Sequence, residues 1–219
     1  MAKRTIKIGN YDTAAHGWTL AAWTFSAPEQ RTMYVDRTSG DGSWDLSTAL
    51  TDGVPRYKDR NLSVTLECSE GDRAAREALI REVINTLDGY RFNIYLPDDT
   101  DLYISGRVHV ARKYSDLAHC SVTVTAQCEP WKYKDTETVI RLTATSTEQV
   151  ARLTNNGRRT GFPTLTASGS VTLAAGGSSW SLSAGSYLLP DLVLPPGATE
   201  LTYKGTGTVV ITYREAVLE

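Results

Sequence analysis

The chain has 219 residues, 41% hydrophobic and 22% charged, with 23 Lys and Arg against 25 Asp and Glu and a formal charge of -2. That composition excludes a disordered chain, and the near balance of charge argues against a dedicated nucleic-acid binder, which carries a basic excess or stripe. At this length folding removes roughly 70% of the surface an unfolded chain exposes, enough for one large core or two modest ones.

The start, Met1 to Asp12, is basic but runs into polar residues without the apolar stretch of a secretory signal, and no run of 18 apolar residues follows. A protein made and folded in the cytoplasm is therefore expected. Thr19 to Phe25 reads as a strand. From Ser26 to Arg60 the chain is rich in Pro, Gly, Asp and Ser, too long for an ordinary connection. Either it contacts something else or it folds back on its own domain. Leu62, Val64, Leu66 and Cys68 then alternate with Ser63, Thr65 and Glu67, the period of a half-buried strand.

A helix is predicted over Asp72 to Asp88, with Ala75, Ala78, Leu79, Val83, Ile84 and Leu87 as its apolar stripe and Arg73, Arg76, Arg81 and Glu82 mostly opposite. Ser69 is its expected cap and Gly89 its stop. Tyr90 to Leu96 and Leu102 to Ala111 read as a hairpin around the polar turn Pro97-Asp98-Asp99-Thr100-Asp101, and Cys120 to Cys128 as the next strand.

Residues 1–140 carry 17 basic and 20 acidic groups, residues 141–219 only 6 and 5. This drop in charge density marks two domains, 1–134 and 138–219, with an exposed connection expected near Lys132 to Glu137 after Pro130. The second domain reads as strands only: 138–144, 150–154, 164–167, 170–174, 179–182, 187–194, 199–203 and 208–214, the last two as a hairpin through Gly205-x-Gly207. Eight short strands with turn signals between them predict an antiparallel sandwich or barrel.

Searches for chemistry return little. Cys68, Cys120 and Cys128 form no Cys-x-x-Cys pair and share the parity of core residues, so they are expected as buried, reduced thiols. On one straight strand Cys120 and Cys128 lie about 26 Å apart, beyond bridging distance. His16, His109 and His119 form no metal-binding spacing, and no Gly-x-Ser-x-Gly elbow occurs. Asp98, Asp99 and Asp101 lack the Gly and distal Glu of a calcium loop. No cofactor or metal is expected and the chain reads as a non-enzyme, although a triad or carboxylate pair assembled from scattered residues stays open.

Two stretches are more specific: Tyr34-Val35-Asp36-Arg37-Thr38-Ser39-Gly40-Asp41-Gly42-Ser43-Trp44-Asp45-Leu46-Ser47, and Val54-Pro55-Arg56-Tyr57-Lys58-Asp59-Arg60-Asn61-Leu62. With the helix ending at Gly89, a later Gly106-Arg107 strand, Arg159-Thr160-Gly161-Phe162-Pro163-Thr164-Leu165 and the closing Lys204 to Arg214 segment, their order resembles the distal tail protein (Dit) family of long non-contractile-tailed phages. The resemblance covers nearly the whole chain.

It implies a mainly β fold: an N-terminal β-sandwich ring domain with one α-helix, then a C-terminal galectin-like antiparallel β-sandwich. It further implies a virion protein at the tail tip, a homohexameric ring joining tail tube protein to hub or fibre protein, with DNA passing through unbound and no membrane partner. In such a ring, Met33, Tyr34, Trp44, Asp45, Pro55, Arg56, Tyr57 and Arg60 are the candidate contacts to a neighbour or partner, since aromatics and Arg anchor interfaces. The acidic excess of the first domain would repel passing DNA. Two other readings compete: another tail-tube ring protein, or a second domain that binds carbohydrate for adsorption. Against the latter, that domain has no His, and its one tryptophan, Trp180, falls on a core face with Leu182.

Overall fold

A computed structural model describes residues 5–99, 101–116 and 118–219. Met1 to Arg4 of the basic start and Thr100 of the predicted turn lie outside the described residues. The fold is mainly β, with antiparallel sheets and one helix, and the chain divides into two compact units. One runs to Lys132 and includes Glu219, and the other spans Tyr133–Leu218.

In the first unit the chain forms β1 (Lys7–Ile8), β2 (Tyr11–Asp12), β3 (Thr19–Phe25), β4 (Tyr34–Asp36), β5 (Ser43–Asp45), β6 (Arg60–Cys68), α1 (Arg73–Leu87), β7 (Arg91–Tyr95), β8 (Leu102–Ser115) and β9 (Cys120–Lys134). The main sheet has the order β2-β1-β7-β8-β9-β6-β3, while β4 and β5 pair with each other as a separate ribbon. The alternation of β6 faces Leu62, Val64, Leu66 and Cys68 into a core shared with Val122 and Val124 of β9, Ile104 and Val108 of β8, Ile94 of β7 and the buried Trp18. Helix α1 closes this core with Ile80, Val83 and Leu87.

The stripe of α1 differs from its expected phase. Ala75 and Ala78 are exposed and Arg76 is buried, its guanidinium donating to the Gly71 carbonyl at 2.6 Å. Alanines bury too little surface to set a helix face, whereas Ile80, Val83 and Leu87 do. The cap is Asp72, whose carboxylate accepts from Ala75 N–H at 2.8 Å. Ser69 lies too far upstream, beyond Gly71, whose φ of +76° turns the chain into the helix.

Gly106 of β8 has a steric reason to be glycine. A Cβ there would stand 2.5 Å from Cys128 Sγ and 2.9 Å from the Gln127 carbonyl on β9. The sulfur can rotate away but the carbonyl is fixed in the sheet. Gly106→Ala is therefore expected to destabilise the protein by about 1–3 kcal/mol, read as a lower denaturation midpoint. Burial pushes the neighbouring Cys128 thiol up to about 12, which disfavours its thiolate.

The connection expected near Lys132 to Glu137 is not an exposed loop at its start, because β9 continues through Pro130 to Lys134. Its charges are neutralised in pairs: buried Lys132 Nζ lies 2.6 Å from Asp99, and Lys134 is ion-paired with buried Glu215.

The second unit is a sandwich of two four-stranded antiparallel sheets. It contains β10 (Thr138–Ala144), β11 (Gln149–Asn155), β12 (Thr164–Ala167), β13 (Val171–Ala175), β14 (Ser178–Leu182), β15 (Gly185–Leu188), β16 (Gly197–Gly205) and β17 (Gly207–Tyr213). One sheet has the order β10-β17-β12-β15, the other β11-β16-β13-β14. Leu165, Ile211 and Val209 from the first sheet meet Leu153, Leu173 and Leu201 from the second. Two predicted strands are corrected. The one over 187–194 stops at Leu188 before Pro190, leaving only an isolated bridge between Gly161 and Leu194. The closing pair is not a hairpin, because β16 and β17 belong to opposite sheets. The glycines suit that corner: a Cβ on Gly205 would stand 2.2 Å from the Ser170 carbonyl, and Thr206 N–H donates to that carbonyl at 2.8 Å.

Buried Glu215 gives this unit a pH dependence. Burial alone would raise its pKa, but the Lys134 ammonium and the Asn156 N–H, which donates at 3.0 Å, outweigh it and hold the carboxyl below its ordinary value. A group more acidic when folded adds stability above its unfolded pKa and loses it as pH falls through the folded one. Thermal stability is expected to fall below about pH 4.5, and Glu215→Gln to flatten that acid limb in melting curves taken across pH.

Candidate assembly surface

The segment between β3 and β6 is an ordered arm. At its base Ser26 N–H donates to the Asn61 carbonyl at 3.0 Å, and Asn61 N–H to Ser26 Oγ at 2.8 Å. Two antiparallel legs follow: Arg31 N–H donates to the Arg56 carbonyl at 2.8 Å, Lys58 N–H to the Glu29 carbonyl at 2.9 Å, and Gln30 bridges Tyr57. At the tip β4 and β5 pair Tyr34 with Asp45 and Val35 with Trp44. Gly42, at a φ of +79°, helps turn the ribbon back, and Ser43 Oγ donates to Asp36 at 2.9 Å.

Beyond β5, Ser47 N–H donates to the Asp45 carboxylate, Met33 N–H donates to Ser47 Oγ and Leu46 N–H to the Met33 carbonyl, all within 2.9 Å. The Ser47 hydroxyl, and then its N–H, hold the Asp45 carboxyl below its ordinary pKa. Arg37 lies 5.4 Å over the Trp44 ring and braces it.

An ordered backbone here carries bare side chains. Every residue from Arg31 to Leu46 is exposed. Met33 is 55% exposed, Tyr34 62% and Trp44 58%. Asp45, Pro55 and Arg56 are exposed as well. Of the remaining candidates, Tyr57 is half-buried, edge-on to Trp131 at 5.6 Å. Arg60 does not belong to the exposed set. It is buried, with its guanidinium 3.7 Å over the Phe25 ring and Nε donating to the Ser26 carbonyl at 2.6 Å, so it is a fixture of the arm's base.

Leu50 is 97% exposed, and Val35, Leu46 and Val54 of the same segment are exposed as well, none of them among the contacts expected from the sequence. The available signal for Leu50 was an isolated leucine in a turn-rich run ending at Asp52 and Gly53, which adopt φ of +50° and +77°. Exposed apolar side chains collected on an ordered backbone are the usual signature of an interaction surface.

Two other places bear on chemistry. Asp88 accepts from His109 Nδ1 at 2.7 Å, the orienting half of a hydrolase triad. Among the described residues no hydroxyl hydrogen-bonds the other ring nitrogen, and the same carboxylate accepts from Val110 N–H at 2.8 Å, tying the helix end to β8. No group of three or more His, Cys, Asp or Glu among the described residues could hold a metal ion. In the second unit Trp180 is half-buried against the sandwich core rather than laid out as a stacking platform. Buried Asn155 spends its amide on the backbone, donating to the Arg159 and Leu194 carbonyls at 2.8 Å and accepting from Gly157 N–H at 2.9 Å.

No family model and no curated protein matches the sequence. Among solved structures, the Dit protein (gp 19.1) of SPP1 superposes with a TM-score of 0.69 at 16% identity, over 96% of this chain and 98% of that one. The chain has that protein's fold. The SPP1 protein is described as a paradigm of hub adsorption apparatus in phages that infect Gram-positive hosts. A designed double-stranded β-helix (TM-score 0.24, 17% identity, 37% of this chain and 97% of that chain) also matches. So does a conserved protein of unknown function from Pseudomonas aeruginosa PAO1 (TM-score 0.26, 10% identity, 90% of this chain and 100% of that chain). Neither carries an argument about this chain.

Proposed function

We propose that the protein is a structural component of a phage tail, a distal tail protein whose first unit closes into a hexameric ring at the end of the tail tube. The ring joins tube protein on one side to hub or fibre protein on the other, and the second unit is a galectin-like module displayed outward. The observation that carries this reading is the likeness to SPP1 Dit over 96% of the chain, a span that takes in both units.

A closed ring needs a heterologous interface, two different patches repeated on every subunit. The arm supplies one of them through Met33, Tyr34, Trp44, Asp45, Pro55 and Arg56. DNA passes through the ring without specific binding, and the excess of 18 acidic over 16 basic groups in residues 1–132 favours repulsion of phosphates. The work is mechanical rather than catalytic. The carbohydrate-binding alternative draws nothing from Trp180 or Asn155, both engaged within the sandwich.

Negative-stain imaging of the full chain tests the proposal: six-fold rings are expected. A population of monomers alone at micromolar concentration, or rings of another symmetry, would refute it.

A further inference from the structure

Two of the three cysteines are opposite each other on neighbouring strands. In the ladder between β6 and β9, Cys68 is the direct partner of Cys120, one rung beyond Glu67 and Ser121. Directly opposed residues of an antiparallel pair have Cα atoms about 4.5–5.5 Å apart, inside the range that a disulfide bridges. Both side chains face inward, as do Leu66 and Val122 on the next inward rung.

The sulfurs are also near each other. Burial first, and then the neighbouring Cys68 thiol, raise the Cys120 thiol, while the Cys68 thiol itself donates to the Glu70 carbonyl at 3.8 Å. Cys128 is different: it stands opposite Arg60 and has no cysteine partner on β6.

The position within the ladder favours closure. Bringing two Cβ atoms from cross-strand spacing to disulfide spacing asks for about 1–2 Å of approach. The pair is the last rung of the β6–β9 ladder, where Cys68 leads into the exposed Ser69, Glu70 and Gly71 before α1. That turn can give where a mid-sheet rung cannot. Cys68, at 6% exposure, is the thiol a reagent would reach first, since Cys120 is fully buried.

We propose that Cys68 and Cys120 form a latent cross-strand disulfide, open as dithiol in a reducing environment and closed by exchange with an oxidised low-molecular-weight disulfide. Cys68, as thiolate, attacks one sulfur of the reagent, forms a mixed disulfide and releases one reduced thiol. Cys120 loses its proton and attacks Cys68 Sγ, forming the protein disulfide and releasing the second thiol. The protein gives up two electrons and two protons, and the reagent's one disulfide is reduced to two thiols. The closed bond would staple the end of β6 to the start of β9 across a loop of about 50 residues and stabilise the first unit by restricting its unfolded state.

The test uses the native full chain incubated with oxidised glutathione, quenched by acid and unfolded for thiol counting. Free thiols are expected to fall from three to one, non-reducing peptide mapping to join the Cys68 and Cys120 peptides, and the oxidised form to melt on the order of 5 °C higher. Cys128→Ala should still close, whereas Cys68→Ala and Cys120→Ala should not. Three thiols remaining in the wild-type chain, a bond that involves Cys128, or a glutathione adduct at Cys68 that never resolves would each overturn the proposal, and the wild-type mapping decides even if an alanine variant folds poorly.

Discussion

Deleting Arg37 to Ser43 is expected to abolish the oligomer while leaving the melting temperature of the subunit unchanged. No residue from Arg31 to Leu46 is buried, and β4 and β5 pair with each other rather than with the main sheet, so the tip contributes little to the core of its own unit. In the proposed ring the same residues are the anchors: Trp44 is held in place by Arg37 and paired across the ribbon with Val35, and Tyr34 is fixed opposite Asp45, so ordering them on association costs little entropy. Trp44→Ala is the milder form of the test, expected to weaken subunit association by about 30-fold or more, the effect of losing about 2 kcal/mol at a hot spot. Light scattering over a concentration series reads both variants. An intact oligomer after the deletion would remove the arm from the interface and return the reading to an arm that serves only its own subunit.

Much of the fold was legible because one-sided burial writes itself into sequence as a period. The alternation of Leu62, Val64, Leu66 and Cys68 has no other cheap explanation, and each of these side chains is buried. Legibility failed where a rule of thumb about one residue type met tertiary context. Pro130 and the charges after it suggested a loop, yet β9 runs through, with Lys132 and Lys134 each matched to an acid distant in sequence. Gly205 and Gly207 suggested a hairpin, but a two-glycine turn serves equally to carry a chain from one sheet to the other, and local sequence does not say which partner each strand takes. The arm illustrates the same limit for function. Its composition marked it as unusual, but the exposure of Leu50 or Val54 depends on no other element covering them, which is a property of the whole fold. Arg60 is the instructive reversal. It shares the parity of Leu62 and Val64, so the period that placed those residues inside also placed Arg60 there, and the habit of reading arginine as surface overrode it.

Arg60→Ala is expected to act on folding first, and so to separate from Trp44→Ala. The guanidinium is buried against Phe25, its Nε is bound to the Ser26 carbonyl, and a terminal nitrogen lies 3.3 Å from the Glu219 carboxylate. Burial pulls the Arg60 pKa down against the Glu219 charge, so holding the guanidinium here carries a desolvation cost. Alanine removes the stacked plane, leaves the Ser26 carbonyl without that donor and opens a void beside Phe25. Those losses together are expected to cost about 2–4 kcal/mol, seen as a lower urea midpoint at an unchanged slope. Arg60→Lys keeps the charge but neither the planar stack nor the Nε bond, and should fall between the two. Because Ser26 and Asn61 form the base of the arm, hydrogen exchange at Ser26 and Asn61 should quicken in both Arg60 variants, whereas Trp44→Ala should leave it unaltered. An Arg60→Ala protein with the wild-type midpoint would mean that the buried guanidinium is dispensable and that Ser26 and Asn61 hold the arm without it.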